Sequence, residues 1–172
     1  MKKIFLTLLL TLAFVGGANA QKFALIDMEY LMSNIPAYER ANEQLNQIAK
    51  KWQAEVEAYD SEAKTLYKNY QNEAVFLSEE QKKQREEAIV AKEKQAAELK
   101  KKYFAPEGEM FKQRTALLQP IQDEVYNAVK AVAQAKGFQL ILDRASENAG
   151  IIFASPAIDI SNEVLAKLGY SN

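Results

Sequence analysis

The chain has no cysteine and no histidine among its 172 residues, and only six glycines and four prolines. Without cysteine there is no disulfide to read, no thiol nucleophile and no acceptor for an N-terminal lipid. Without histidine the usual general base and the commonest zinc ligand are missing as well. Much enzyme chemistry is therefore closed off, and the chain is expected to be a non-enzyme that needs no cofactor. Charge of one sign is also lacking: 22 basic side chains face 23 acidic ones. Such a balance gives no general attraction to nucleic acid or to anionic lipid.

Residues 1–20 read as an address label. Lys2 and Lys3 form a positive start, Ile4 to Val15 is apolar, and Ala18-Asn19-Ala20 supplies the small residues of a cleavage site. The apolar run is about twelve residues where a membrane span needs about twenty. Secretion and cleavage before Gln21 are expected. No other segment is apolar enough to span a bilayer, so no stable membrane insertion is expected. Loss of Lys2 and Lys3 leaves a mature chain with a net charge of about −3.

The remainder divides into body, arm and body. Lys22–Asp27 (KFALID) and Phe138–Asp143 (FQLILD) are short apolar runs that suit buried strands, and Ile151–Ala154 (IIFA) suits a third. Asp159 can cap a closing helix that stops at Gly169. Between these runs turn signals are nearly absent. From Tyr38 the apolar positions fall at Ala41, Leu45, Ile48, Trp52, Val56, Tyr59, Ala63, Leu66 and Tyr70, a mean step of about 3.56 residues. That period predicts one helix, roughly 48 Å long from Tyr38 to Tyr70. Ser78-Glu79-Glu80-Gln81 matches a capping box that starts a returning helix, with Phe76 or Leu77 available as a staple. Its stripe, Ile89, Ala96, Leu99 and Tyr103, is thin. Pro106 and Gly108 predict a kink or short break, and Pro120 a second bend or the first position of another helix.

The fold class is therefore α+β and predominantly helical, a small β-containing oligomerisation body with a long antiparallel coiled-coil hairpin. The boundaries lie at 21–36 for the first body segment, 37–118 for the arm (tip at 75–78, kink at 106–108) and 119–172 for the second body segment. Three short strands do not make a self-sufficient sheet. Phe23, Leu25, Phe138, Leu140, Leu142 and Ile152 are accordingly expected to complete a core with other subunits.

The opening KFALIDMEYLM, the charged hairpin, the stretch LLQPIQDEVYNAVKAVAQAKGFQLILDRAS and the tail GIIFASPAIDISNEVLAKLGY resemble the OmpH/Skp family of periplasmic chaperones. The resemblance implies a homotrimer whose helical arms enclose a cavity. Unfolded outer-membrane β-barrel proteins are held there without ATP, between the inner-membrane translocon and the outer-membrane assembly machinery. The best-known members are strongly basic, unlike this mildly acidic chain. No catalytic residue carries over.

Trp52, Tyr59 and Tyr70 lie in the apolar stripe and are expected in the seam between the two legs. Tyr67 lies one step off it and is a candidate client contact, as are Val75, Phe76 and Leu77 at the tip. Glu79/Glu80 and Glu86/Glu87 read as a solvated helix face rather than acid–base or metal groups. Asp27 and Asp143, at strand ends, are expected to cap the next segments of chain. Two functions compete: a holdase for unfolded envelope proteins, and a structural coiled-coil adaptor that binds no unfolded chain. An adaptor is expected to show a tight, leucine-rich seam.

Overall fold

The computed structural model describes residues 22–146 and 149–170; the export signal expected at 1–20 lies outside them. The α+β, predominantly helical architecture expected from the sequence is present. The chain forms two compact units, one of residues 35–124 and one of the segments up to 34 and from 125 onward.

The hairpin unit begins with α2 (Pro36–Glu73), preceded in the chain by α1 (Met28–Ser33) of the other unit. Pro36 suits the first helical position, where its missing N–H would be unpaired anyway. Thirty-eight residues then run without a break, and Ala41, Leu45, Val56 and Ala63 are buried along the predicted stripe. A single 3-10 turn, Ala74–Phe76, leads to Ser78. There the capping box closes: the Gln81 amide donates to Ser78 Oγ (3.3 Å) and the Ser78 amide donates to Gln81 Oε1 (2.9 Å). Phe76 is 86% exposed and so does not staple the turn. Helix α3 (Glu79–Phe104) returns with Ile89, Ala96 and Tyr103 buried, seven residues apart.

A four-residue break at 105–108 separates α3 from α4 (Glu109–Lys136). Pro120 neither ends α4 nor starts a new helix, against one of the two sequence expectations. Both Pro120 and Ala116, whose carbonyl loses its partner, lie on the exposed side. A carbonyl on that side is open to hydration, which lowers the cost of a mid-helix proline. The first half of α4 belongs to the hairpin unit and the part from Val125 to the other.

In the second unit β1 (Phe23–Ile26) pairs in parallel with β2 (Leu140–Asp143), Phe23 opposite Leu140 and Ile26 opposite Asp143. The other edge of β1 is met at one point, where the Ile160 amide donates to the Leu25 carbonyl (2.9 Å). Thus β1 is central and β2 keeps a free edge among the described residues. The third strand expected at Ile151–Ala154 is not formed: the segment makes no backbone ladder with the described residues, and Ile152 and Phe153 are fully or largely exposed. After a 3-10 turn at Pro156–Ile158, α5 (Ser161–Leu168) closes the unit at Gly169, whose φ of 87° is the left-handed value that glycine adopts freely. Its core is Ala24, Leu25, Ile26, Leu31, Val125, Val132, Val164 and Leu165.

Helix α1 is not among the elements expected from the sequence. Asp27 starts it, its carboxylate accepting from the Tyr30 amide (2.8 Å), as the strand-end position suggested. Asp143 accepts from the Met28 amide and the Ala145 amide (both 3.0 Å), tying the end of β2 to the start of α1. Arg144 bridges Asp27 (3.2 Å) and Asp159 (3.0 Å), drawing three chain segments together.

Candidate functional site

Two apolar surfaces stand out from otherwise solvated helices, one in each unit. In the hairpin unit the starting point is what holds the legs together. The Trp52 ring stacks on Tyr103 with centroids 4.7 Å apart and planes 3° from parallel. The Tyr103 hydroxyl donates to Glu55 (2.9 Å), and the Tyr70 hydroxyl donates to Glu86 on the opposite leg (2.6 Å). Lys92 lies over the Tyr59 ring at 5.0 Å and pairs with Glu62 at 2.6 Å. Trp52, Tyr59 and Tyr70 therefore meet the facing leg, in the seam position the stripe predicted. Ala63 and Ala96 are among the few wholly apolar contacts buried between them, so the seam is narrow and rich in polar aromatic pairs.

These pairs carry a titration signature. The hydrogen bond to Glu86 pushes the Tyr70 phenol up, and the hydrogen bond to Glu55 does the same for Tyr103. A phenol whose folded pKa is raised contributes stability that is complete below the unfolded value of about 10 and is lost as pH rises through the folded one. Of the eight tyrosines, two are expected to form phenolate later than the rest, with the seam loosening in that alkaline range. Ultraviolet phenolate titration alongside helical circular dichroism measures both. Eight superimposable tyrosine titrations would contradict the geometry.

At the tip, Val75 and Phe76 are 84% and 86% exposed, while Leu77 is half-buried. Tyr67 is 52% exposed on the outgoing leg. The structure thus brings Val75, Phe76 and Leu77 together at one turn and leaves Tyr67 on the helix shaft. Two further exposed side chains on the return leg, Val90 and Phe104, are ones that the sequence reading does not single out.

In the second unit the residues expected to complete a core with other subunits divide. Leu25 is 3% exposed and packs in the core of its own chain. Phe138 is half-buried, whereas Phe23, Leu140, Leu142 and Ile152 are exposed. Phe23 and Leu140 are register partners at one end of the sheet. Large apolar side chains thus stand exposed beside a free strand edge, a surface that invites pairing. Among the described residues no cluster of three metal-ligating side chains is assembled, and no helix is long and apolar enough to cross a membrane.

A long antiparallel helical hairpin together with a small parallel two-stranded unit defines a recognisable class of mixed helical proteins. The family described as "Outer membrane protein (OmpH-like)" matches residues 22–168, and the chain belongs to that OmpH family. It is 25% identical over 172 residues to the chaperone protein Skp of Yersinia enterocolitica, covering 98% of this chain and 99% of that protein. Its fold is similar to the crystal structure of a protein described as an OmpH-like outer membrane chaperone from Caulobacter crescentus CB15. That likeness has a TM-score of 0.68 at 17% identity and covers 88% of this chain and 86% of that one.

Proposed function

We propose that the protein is a non-enzymatic, ATP-independent holdase of the periplasm. In this reading it is exported by a cleavable signal at 1–20 and binds unfolded outer-membrane β-barrel proteins in a cavity between helical arms. Its role is to keep them from aggregating before they reach the assembly machinery. Residues 37–118 serve as the arm, and 21–36 with 119–172 as the body of a homotrimer. Family membership supports the chaperone reading. The observation that carries it is the tip, where Val75 and Phe76 are held almost wholly in water by a well-formed capping box. Apolar surface kept exposed on an ordered turn is suited to transient contact with a partially apolar partner. The free edge of β2 and the exposed Phe23, Leu140, Leu142 and Ile152 support association of bodies. The seam buries Val56, Ala63, Ile89 and Ala96 beside hydrogen-bonded aromatics and leaves Leu66 and Leu99 half-buried, so it is not the tight leucine-rich seam of an adaptor.

The test is suppression of aggregation of a urea-denatured outer-membrane β-barrel protein by the mature protein. Suppression is expected without nucleotide, near one oligomer per client. Binding of native envelope proteins with no effect on the denatured client would establish the adaptor instead.

A further inference from the structure

The hairpin's two sides are not equivalent. In an antiparallel pair, the residue that follows each seam position on one helix and the residue that follows each seam position on the other turn to the same side. The shallow groove lined by Gln53, Glu57, Asp60, Lys100 and Phe104, with Val56 at its base, displays this: the first five each follow a seam residue. On that side stand Tyr67 after Leu66, Val90 after Ile89 and Phe104 after Tyr103, which are 52%, 60% and 41% exposed. The opposite side holds the residues that precede seam positions, such as Lys51, Ala58, Glu62, Ala91, Gln95 and Lys102. None is a large apolar residue.

The apolar positions on the first side are spaced. The Tyr59–Lys92 and Tyr70–Glu86 contacts bracket Tyr67 and Val90, which sit at nearly the same level. Phe76 lies about 14 Å beyond Tyr67, and Phe104 about 21 Å from Val90 in the other direction, at 1.5 Å per helical residue. Between them are charged side chains, among them Lys64, Asp60 and Glu93. An amphipathic helix needs a continuous apolar groove and finds none. An extended chain rises about 3.3 Å per residue, so these gaps match about four and about six of its residues. Both numbers are even, and even spacing keeps side chains on one side of an extended segment. Membrane β-strands alternate apolar and polar residues with that period. In the groove, neither Glu57 nor Asp60 is in an ion pair among the described residues, and together they outnumber Lys100. The charge there complements a lysine or arginine beside the client's apolar residue.

Resting on the holdase reading, we infer that the face bearing Tyr67, Val90 and Phe104 is the client track. It receives one unfolded β-barrel segment in extended form, with an apolar residue at each station and a basic residue at the Glu57–Asp60 groove. The opposite face does not touch client. The absence of cysteine permits a direct test, with an environment-sensitive fluorophore on Glu93→Cys, on the track, or on Gln95→Cys, on the far side. Urea-denatured outer-membrane β-barrel protein is then diluted into full-length mature oligomer. A blue shift at the Glu93→Cys label alone is expected. The Tyr67→Ser/Val90→Ser/Phe104→Ser variant is expected to weaken client binding at least tenfold with helix content unchanged, since the three side chains are solvated. Equal shifts at both labels, or binding by the triple variant within twofold of wild type, would overturn the face assignment while leaving the holdase reading standing. A wild-type protein that binds no denatured client overturns both.

Discussion

Replacing Leu140 and Leu142 together by aspartate is expected to collapse the assembly to subunits, or to leave the chain unfolded, although both side chains are solvated in a single chain. They are 53% and 39% exposed. Surface substitutions away from special features change stability by about 0.5 kcal/mol, and the whole β-propensity scale spans about 1 kcal/mol. A self-sufficient subunit would thus absorb the double change at little cost. If both leucines are covered by neighbouring subunits, each aspartate becomes an unpaired buried charge, which costs on the order of 3–5 kcal/mol. Every subunit carries two of them, enough to rival the whole stability of an ordinary domain, about 5–15 kcal/mol. Mass measurement in solution at micromolar concentration separates the cases. Retention of the wild-type mass by the double variant would place the subunit contact elsewhere.

How much the amino-acid order discloses differs between the two units for a physical reason. The hairpin is made of local contacts, so its signals are local. The apolar period from Tyr38 to Tyr70 set α2, and Ser78 with Gln81 set the start of α3. The second unit is stitched from segments more than a hundred residues apart. That β1 pairs with β2 in parallel, or that Arg144 reaches Asp27 and Asp159, has no signature within any window of sequence. Helix α1 is hard to see in the sequence because six residues carry barely two turns of periodicity, although Asp27 offers a cap. Ile151–Ala154 has the composition of a strand and lacks one in this chain because a strand is defined by its neighbour.

The apolar track does leave a trace in the sequence. Leu66-Tyr67, Ile89-Val90 and Tyr103-Phe104 are consecutive large apolar pairs in helices whose stripe is one residue wide. The second member of such a pair falls about 100° off the stripe and is directed to solvent. Tyr67 stands visibly off the stripe, but Val90 and Phe104 are masked by their neighbours. Pro120 misleads for the opposite reason. Proline is a helix breaker through its missing N–H and its ring, and the sequence does not say whether the bereft carbonyl faces water.

Gly108→Ala is expected to destabilise the hairpin unit out of proportion to the one carbon it adds. The usual explanation for a loop glycine is a positive φ, and Gly137, Gly150 and Gly169 have one, but Gly108 does not. Its constraint is space. A Cβ there would lie 2.8 Å from the Lys102 carbonyl oxygen, 2.9 Å from that of Tyr103 and 3.0 Å from that of Ala105. All three are main-chain atoms at the end of α3, so no side chain can swing aside. The turn must open, and with it the bond from the Gly108 amide to the Ala105 carbonyl (2.8 Å). Overpacking of this kind costs about 1–3 kcal/mol. It falls beside the Trp52–Tyr103 stack, so looser packing there is expected as well. Pro106→Ala, by contrast, removes an exposed ring from a residue whose N–H is not needed in the turn, and should shift stability by about 0.5 kcal/mol at most. Thermal unfolding of the two variants, followed by Trp52 fluorescence, gives the comparison. If the alanine at 108 melts with wild type, the tight approach of the break to the end of α3 is not what sets the elbow.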